Sequence, residues 1–282
     1  MSPNLRPAIV ALVVALPAPL HAQWTQGEIG KVWVKSTFFW QKTDQEFGPS
    51  GDRRREPTGG ESNSRAIYTE IIVGLLPTLD LWVQIPYLDL NFTSPSVTEN
   101  SQDLGDLRFW LRWQVLSLDN GRTPVSLRAG AKAPLGFAPI DALLVPLGDG
   151  QWDIELFGEI GHSFWPAPAY AELWLGYRHR FENTETRKNP GEEFVFLAES
   201  GVNPTPWSLL KVTLDGFVGG NWIVEGVTTA TARRILTLQL AGGVKILGGW
   251  LESGVRLPLK GQNFPAGPQL IIGASGSFSV TR

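Results

Sequence analysis

Leu107, Phe109, Leu111, Trp113 and Val115 share one parity along the chain, and Arg108, Trp110, Arg112 and Gln114 occupy the other. Successive side chains of a strand point to opposite faces, so this stretch predicts a strand with an oily face and a face carrying two arginines. The same period of two recurs. In VSLRAGAKA, Val125, Leu127, Ala129 and Ala131 oppose Arg128 and Lys132. In WDIELFGEI, Trp152, Ile154, Leu156 and Ile160 oppose Asp153, Glu155 and Glu159. Further on, Ala171, Leu173, Leu175 and Tyr177 oppose Tyr170, Glu172, Trp174 and Arg178, and Leu251, Val255, Leu257 and Leu259 oppose Glu252 and Arg256. No long helical period interrupts this pattern. It predicts twelve strands, at 25–42, 62–77, 80–92, 104–118, 122–135, 149–165, 168–183, 192–203, 207–219, 233–247, 249–260 and 268–281.

Alternation alone does not say which face is inside. A soluble barrel turns its oil inward, whereas a membrane barrel turns it outward into lipid and keeps charge in the lumen. The connections discriminate. Short ones (LPTLD, LDNG, WPAP, NPTPWS, LGG) alternate with long polar ones such as EFGPSGDRRREPTGGES and ENTETRKNPGEE. Tight periplasmic turns and long external loops are the signature of an outer-membrane barrel, and an even strand count puts both ends on the periplasmic side. Nearly every strand also carries ionised residues mid-strand, each costing several kcal/mol in a compact apolar core unless paired. Twelve strands enclose a tube too wide to fill readily with Leu and Val but easy to wet. The expected fold is therefore all-β, a twelve-stranded antiparallel transmembrane β-barrel of outer-membrane type.

The tryptophans add a third sign. Of twelve, Trp82, Trp113, Trp165, Trp207 and Trp250 lie close to short turns and are expected to form an interfacial girdle. Ordinary core tryptophan is the alternative, since parity puts only Trp113 clearly on the oily face and Trp207 and Trp250 on the polar one. The long connection GFAPIDALLVPLGDG is unusually apolar. Folding inward as a constriction, lying on the lipid surface and meeting a partner are options for it, and resting on the barrel rim is favoured over a gate.

Composition narrows the function. Cysteine is absent, which excludes disulfides, thiolate metal sites, cysteine nucleophiles and a lipoprotein anchor. Residues 1–22, MSPNLRPAIVALVVALPAPLHA, combine Arg6, a short apolar core and Ala22 at the expected cut, which predicts a secretory signal peptide before a barrel over 23–282. Removing Arg6 leaves 23 basic and 27 acidic residues, a mature charge of −4, with no basic block for nucleic acid. No later stretch reaches the roughly 18 unbroken apolar residues of a membrane helix.

Four segments, LGDLRFWLRWQVL, PVSLRAGAKAPLG, LGDGQWDIELFGEIGHSF and AYAELWLGYRHRF, together with the LPTLDLWVQIPY hairpin, resemble the outer-membrane transporter family of the phenol-degradation meta-pathway. The resemblance runs from about Ile67 to the C-terminus and implies passage of small, often aromatic or hydrophobic, compounds across the bacterial outer membrane. One departure stands out. Outer-membrane strands usually finish on an aromatic residue read by the assembly machinery, whereas this chain ends GSFSVTR, with Phe278 four places before Arg282.

The candidate lumen-lining or constriction residues are Arg108, Arg112, Arg128 and Lys132 on a basic arc, and Asp153, Glu155, Glu159, Glu172 and Arg178 on the neighbouring, mainly acidic one. Set side by side, the arcs would create a transverse field that orients dipolar solutes. The alternative is paired ions that fill a closed lumen. Strands eight to ten bring Val195, Leu197, Leu209 and Ile235 inward as a greasier wall.

The expected function is a passive channel for small molecules, with no cofactor and no catalysis. Its expected partners are outer-membrane lipids and lipopolysaccharide (DRRRE, 52–56, being an external contact), the barrel-assembly machinery and a small-molecule solute. A structural or adhesive barrel without conductance is one rival. An outer-membrane lipid hydrolase is the other. It would need His179 as base, but the neighbouring strands offer no serine at that height, and no GxSxG, HExxH, P-loop or dinucleotide motif is present.

Overall fold

A computed structural model of the chain describes residues 26–136, 145–229 and 231–280. The predicted signal peptide lies outside them. Twelve wall strands follow one another: β1 (Lys31–Thr43), β2 (Glu61–Leu76), β3 (Leu79–Thr93), β4 (Leu107–Leu118), β5 (Thr123–Ala133), β6 (Asp153–Ser163), β7 (Ala169–Arg180), β8 (Glu193–Thr205), β9 (Ser208–Gly219), β10 (Arg234–Ile246), β11 (Gly249–Gln262) and β12 (Gln269–Ser279). Each pairs antiparallel with the next, and β1 pairs with β12 from Lys31↔Ser279 to Gln41↔Gln269. That seam closes the twelve wall strands into a tube, as backbone polar groups in hydrocarbon require, and only the extracellular segment Thr98–Leu104 is paired on one side alone among the described strands of this sheet. The antiparallel barrel predicted from the sequence is the observed fold.

Side-chain direction settles the question left by the alternation. On β4, Phe109, Leu111 and Trp113 are exposed on the outer surface, while Trp110 and Arg112 are buried inside. On β6 the exposed Ile154, Leu156 and Ile160 oppose the buried Asp153, Glu155 and Glu159. A continuous apolar exterior around a charged interior is the inversion that lipid selects.

Some boundaries differ from expectation. The first strand begins at Lys31 rather than 25, because residues 26–30 turn under the barrel, with Gly30 N donating to the Gly74 carbonyl at 2.9 Å. Gly74 is needed there, since the Glu28 carbonyl occupies the space a Cβ would take. The fourth wall position is split. Thr98–Leu104 pairs with the outer half of β3 and β4 with its inner half, the two being joined across Gly105–Asp106. Thr98–Leu104 lacks an apolar stripe, which is why the sequence pattern gave only a loop before 104. A register shift after Gln114 turns Leu116 and Leu118 outward, so Val115 does not continue the oily face as predicted.

The tryptophan girdle is partly corrected. Trp113, Trp165 and Trp207 are 54%, 66% and 60% exposed near the periplasmic turns, but Trp82 is 0% exposed and points inward. Its parity with Asp80 and Gln84 fixes that direction. Trp250 also shares the parity of the inward Glu252 and is only partly exposed.

Candidate functional site

All nine candidate residues have side chains inside the barrel, and they sit in a packed lumen rather than along an open bore. Three tiers of interaction can be followed along the strands.

The extracellular tier is an ion-pair network. The Lys132 ammonium lies 2.8 Å from Asp106, 3.0 Å from Asp149 and 3.4 Å from Asp153. Arg180 reaches Asp149 at 2.7 Å and Glu193 at 2.8 Å. Arg178 joins Glu155 at 2.7 Å and also pairs with Glu193, while Arg108 pairs with the same Glu155. Within this tier the basic and acidic arcs are neutralised by direct contact, so the predicted transverse field gives way there to paired ions, while Glu172 of the acidic arc has no ion pair among the described residues. Cross-strand register explains the pairing, because Lys132 faces Asp153 and Arg178 faces Glu155.

The same network fastens the long loop after β5. Asp106 accepts hydrogen bonds from Gly136 N (3.0 Å) and Asp149 N (3.1 Å), and Asn183 donates to the Asp149 carbonyl at 3.1 Å. Val145 and Leu147 of the loop are buried against the inward-facing Phe39, Tyr68, Leu88, Leu90 and Ile271. The favoured expectation of a loop resting on the rim is overturned for residues 145–150. Apolar side chains gain roughly 25 cal/mol per Å² on leaving water, and the lumen wall offers the nearest greasy surface. Residues 137–144 of the loop lie outside the described residues.

Burial alone would raise the Asp149 carboxyl, but the Lys132 ammonium and Arg180 guanidinium outweigh it and hold the group well below the usual carboxylate range. A carboxylate whose folded pKa is depressed contributes stability above its unfolded value near 4 and loses it as pH falls through the folded value. Asp149→Asn is expected to weaken the closed loop by about 2 kcal/mol, the scale of a charge-assisted hydrogen bond. Proteolysis of the loop on folded protein checks this, with faster cleavage expected in the variant and, in the native chain, at acid pH.

The middle tier is aromatic. Trp82 meets Trp110 at 5.7 Å and Trp174 at 5.8 Å in edge-on geometry. Phe157 packs into the same cluster. The Arg128 guanidinium lies at its centre, 4.3 Å from the Phe157 ring, 4.4 Å from Trp174, 4.5 Å from Trp82 and 5.2 Å from Trp110. Glu159 approaches its Nε at 2.5 Å. The inward glycines leave room for this cluster: a Cβ at Gly176 would meet the Phe157 ring, and one at Gly130 the Phe109 carbonyl and the Trp110 ring.

The periplasmic tier is again polar. Arg112 binds Asp80 through two nitrogens, at 2.5 Å and 3.2 Å, both side chains being wholly buried. Gln26 N donates to the other Asp80 oxygen at 3.1 Å, which ties the segment entering β1 to this end of the lumen. Glu199 accepts from Tyr170 and Thr213, each at 2.7 Å, and Lys211 bridges Glu252 and Glu199 at 3.0 and 3.7 Å. Glu172 stands directly across from Glu199 in the register.

The sequence did not single out Asp80, Asp149, Arg180 or Glu193; it set Trp110 and Trp174 on the charged parity of their strands without naming them as lumen residues, and assigned Trp82 to the girdle. Strand parity could have placed Trp82 inward as well, but the partners of all three depend on register and on loop folding.

His179 lies on the outer surface with Nδ1 2.7 Å from Glu192 and its ring stacked edge-on to Phe181. His162 pairs with the Thr123 hydroxyl at 2.7 Å near the opposite rim.

No family model matches the chain, and no curated protein matches it. Among solved structures, it is similar to the COG4313 outer membrane channel from Pseudomonas putida F1 (TM-score 0.76, 14% identity), over 93% of this chain and 100% of that one. It also resembles the β domain of the Bordetella autotransporter BrkA (TM-score 0.52, 11% identity, 89% of this chain and 100% of that one). The translocator domain of autotransporter NalP from Neisseria meningitidis is similar as well (TM-score 0.50, 12% identity, 91% of each chain). At these identities the shared feature is the fold, a closed twelve-stranded barrel of outer-membrane type.

Proposed function

We propose that the chain is an outer-membrane channel for small molecules, described here in a closed state. One observation carries the proposal. The extracellular half of the lumen is filled by a loop, through Val145 and Leu147, and not by wall residues alone. A filler on a tether, held by ion pairs at Asp106 and Asp149, can leave without unfolding the wall. The full-length likeness to a protein called an outer membrane channel supports the same reading. The surface that Val145 and Leu147 cover is apolar and bears the Phe39 and Tyr68 rings, which suits aromatic or hydrophobic solutes, in keeping with the meta-pathway family resemblance.

Liposome swelling tests this. Val145→Ser with Leu147→Ser lowers the gain from loop insertion by about 2–4 kcal/mol, and is expected to raise uptake of small aromatic solutes several-fold over the native barrel. Rates equal to protein-free vesicles in both proteins would reject the channel. The tightly packed middle of the lumen favours the rival structural barrel, which predicts that negative result. By the same channel reading, lipopolysaccharide meets the exposed Arg53–Arg55 at the outer rim, and the assembly machinery reads the closing strand with Phe278.

A further inference from the structure

We infer that the ring cluster in the middle of the lumen is a binding site for organic cations, filled in this conformation by the chain's own Arg128. The inference rests on the channel reading for its physiological use, but not for its chemistry.

Four aromatic rings lie within 5.2 Å of one guanidinium carbon. A single ring face suffices for an ordinary cation–π contact, and a cage of several is the arrangement that recognises guanidinium and methylated ammonium groups. The carboxylate of Glu159 supplies the countercharge. Arg128 is held differently from the structural Arg112. Arg112 spends its fork on Asp80, whereas both terminal nitrogens of Arg128 are buried without a hydrogen-bond partner. A guanidinium retained by ring faces and one carboxylate can be replaced by another flat cation that makes the same contacts.

Charge on the periplasmic side supports a cationic ligand. There, among the buried groups of the inward wall, five carboxylates, Glu70, Asp80, Glu172, Glu199 and Glu252, stand against three cations, Lys35, Arg112 and Lys211. Glu172 lies two residues from Trp174 on the same face of β7, and its two oxygens are buried with no hydrogen-bond partner. A cation entering or leaving the cage meets this carboxylate next. Strongly hydrated inorganic cations do not fit the site, because ring faces replace hydration poorly for small ions. The ligand class is therefore guanidinium-like or quaternary ammonium compounds, which would compete with Arg128 and displace it from the middle of the bore.

The test uses methylguanidinium chloride, with sodium chloride as control, titrated calorimetrically into folded barrels in detergent. Arg128→Ala vacates the cage and is expected to bind methylguanidinium at least about tenfold more tightly than the native protein, the scale of one or two cation–π contacts. Adding Glu159→Gln should weaken that binding by about tenfold, the effect expected for a charge-assisted contact. If Arg128→Ala folds poorly, methylguanidinium in the refolding mixture should restore heat-modifiable mobility on gels, and sodium should not. Equal binding to both proteins, equal effects of sodium, or neither binding nor rescue would overturn the inference. Conductance of Arg128→Ala in planar bilayers is read separately. Cage binding without conductance leaves the site and removes the channel, and conductance without cation binding or block does the reverse.

Discussion

Alanine in place of Arg112 is expected to destabilise the barrel by about 3–5 kcal/mol, the cost of leaving a buried ion without its partner. Arg112 and Asp80 are both wholly buried, and the second Asp80 oxygen already accepts the Gln26 amide. Among the described residues the neighbouring cations are already engaged, Lys211 and Lys35 at Glu252 and Arg128 at Glu159. Cross-strand register adds to the effect. Arg112 faces Arg128, so each guanidinium turns away to its own carboxylate, and removing one disturbs the placement of the other. The control is Arg112→Met combined with Asp80→Leu. Replacing both members of a buried pair by apolar residues is often neutral or stabilising, so the double variant should recover most of the loss. Denaturant unfolding in detergent micelles, followed by tryptophan emission, measures both. A single variant as stable as the native barrel would show that water reaches Asp80 and that the lumen is wet at this level.

Arginine at position 175 is the second large effect. Leu175 is 57% exposed on the outer face of β7, midway between the rims, where a lipid-facing arginine costs about 2–4 kcal/mol. The same replacement at Val202, outward-facing and close to the periplasmic turn of β8, should cost about 0–1 kcal/mol. Folding into vesicles across a urea series reads both. This gradient depends on the membrane alone. A soluble barrel would accept arginine equally well at both positions, so equal costs would remove the bilayer from the description.

Most of the wall was legible in the sequence because a strand writes its two environments at alternate positions. Arg108 and Arg112 against Phe109 and Leu111, or Asp153 and Glu155 against Ile154 and Leu156, are sorted by parity without any knowledge of neighbours. Pairing was not legible. That Arg112 finds Asp80 on β3, or that Arg108 and Arg178 share Glu155, depends on register, which no single strand records. The inserted loop escaped for another reason. GFAPIDALLVPLGDG shows its apolar character, but whether such a segment meets lipid, rim or lumen is decided by the Phe39–Tyr68 wall and by Asp106, both distant in the chain. Trp82 shows how position can mislead. Its nearness to a turn suggested the interface, while its parity with Asp80 decided for the interior.

Trp82, Trp110 and Trp174 come from β3, β4 and β7, and their indoles sit edge-on at separations of 5.7 and 5.8 Å with interplanar angles of 61° and 86°. Aromatic transitions this close and this steeply inclined exchange excitation, which gives a paired positive and negative circular-dichroism band absent from isolated indoles. The Trp82–Trp110 part needs only the neighbouring strands β3 and β4, whereas the Trp82–Trp174 part arises once β7 has come across the tube to meet β3. The barrel thus carries its own optical clock, one that reports completion of the interior separately from the gain of sheet structure or the insertion into lipid.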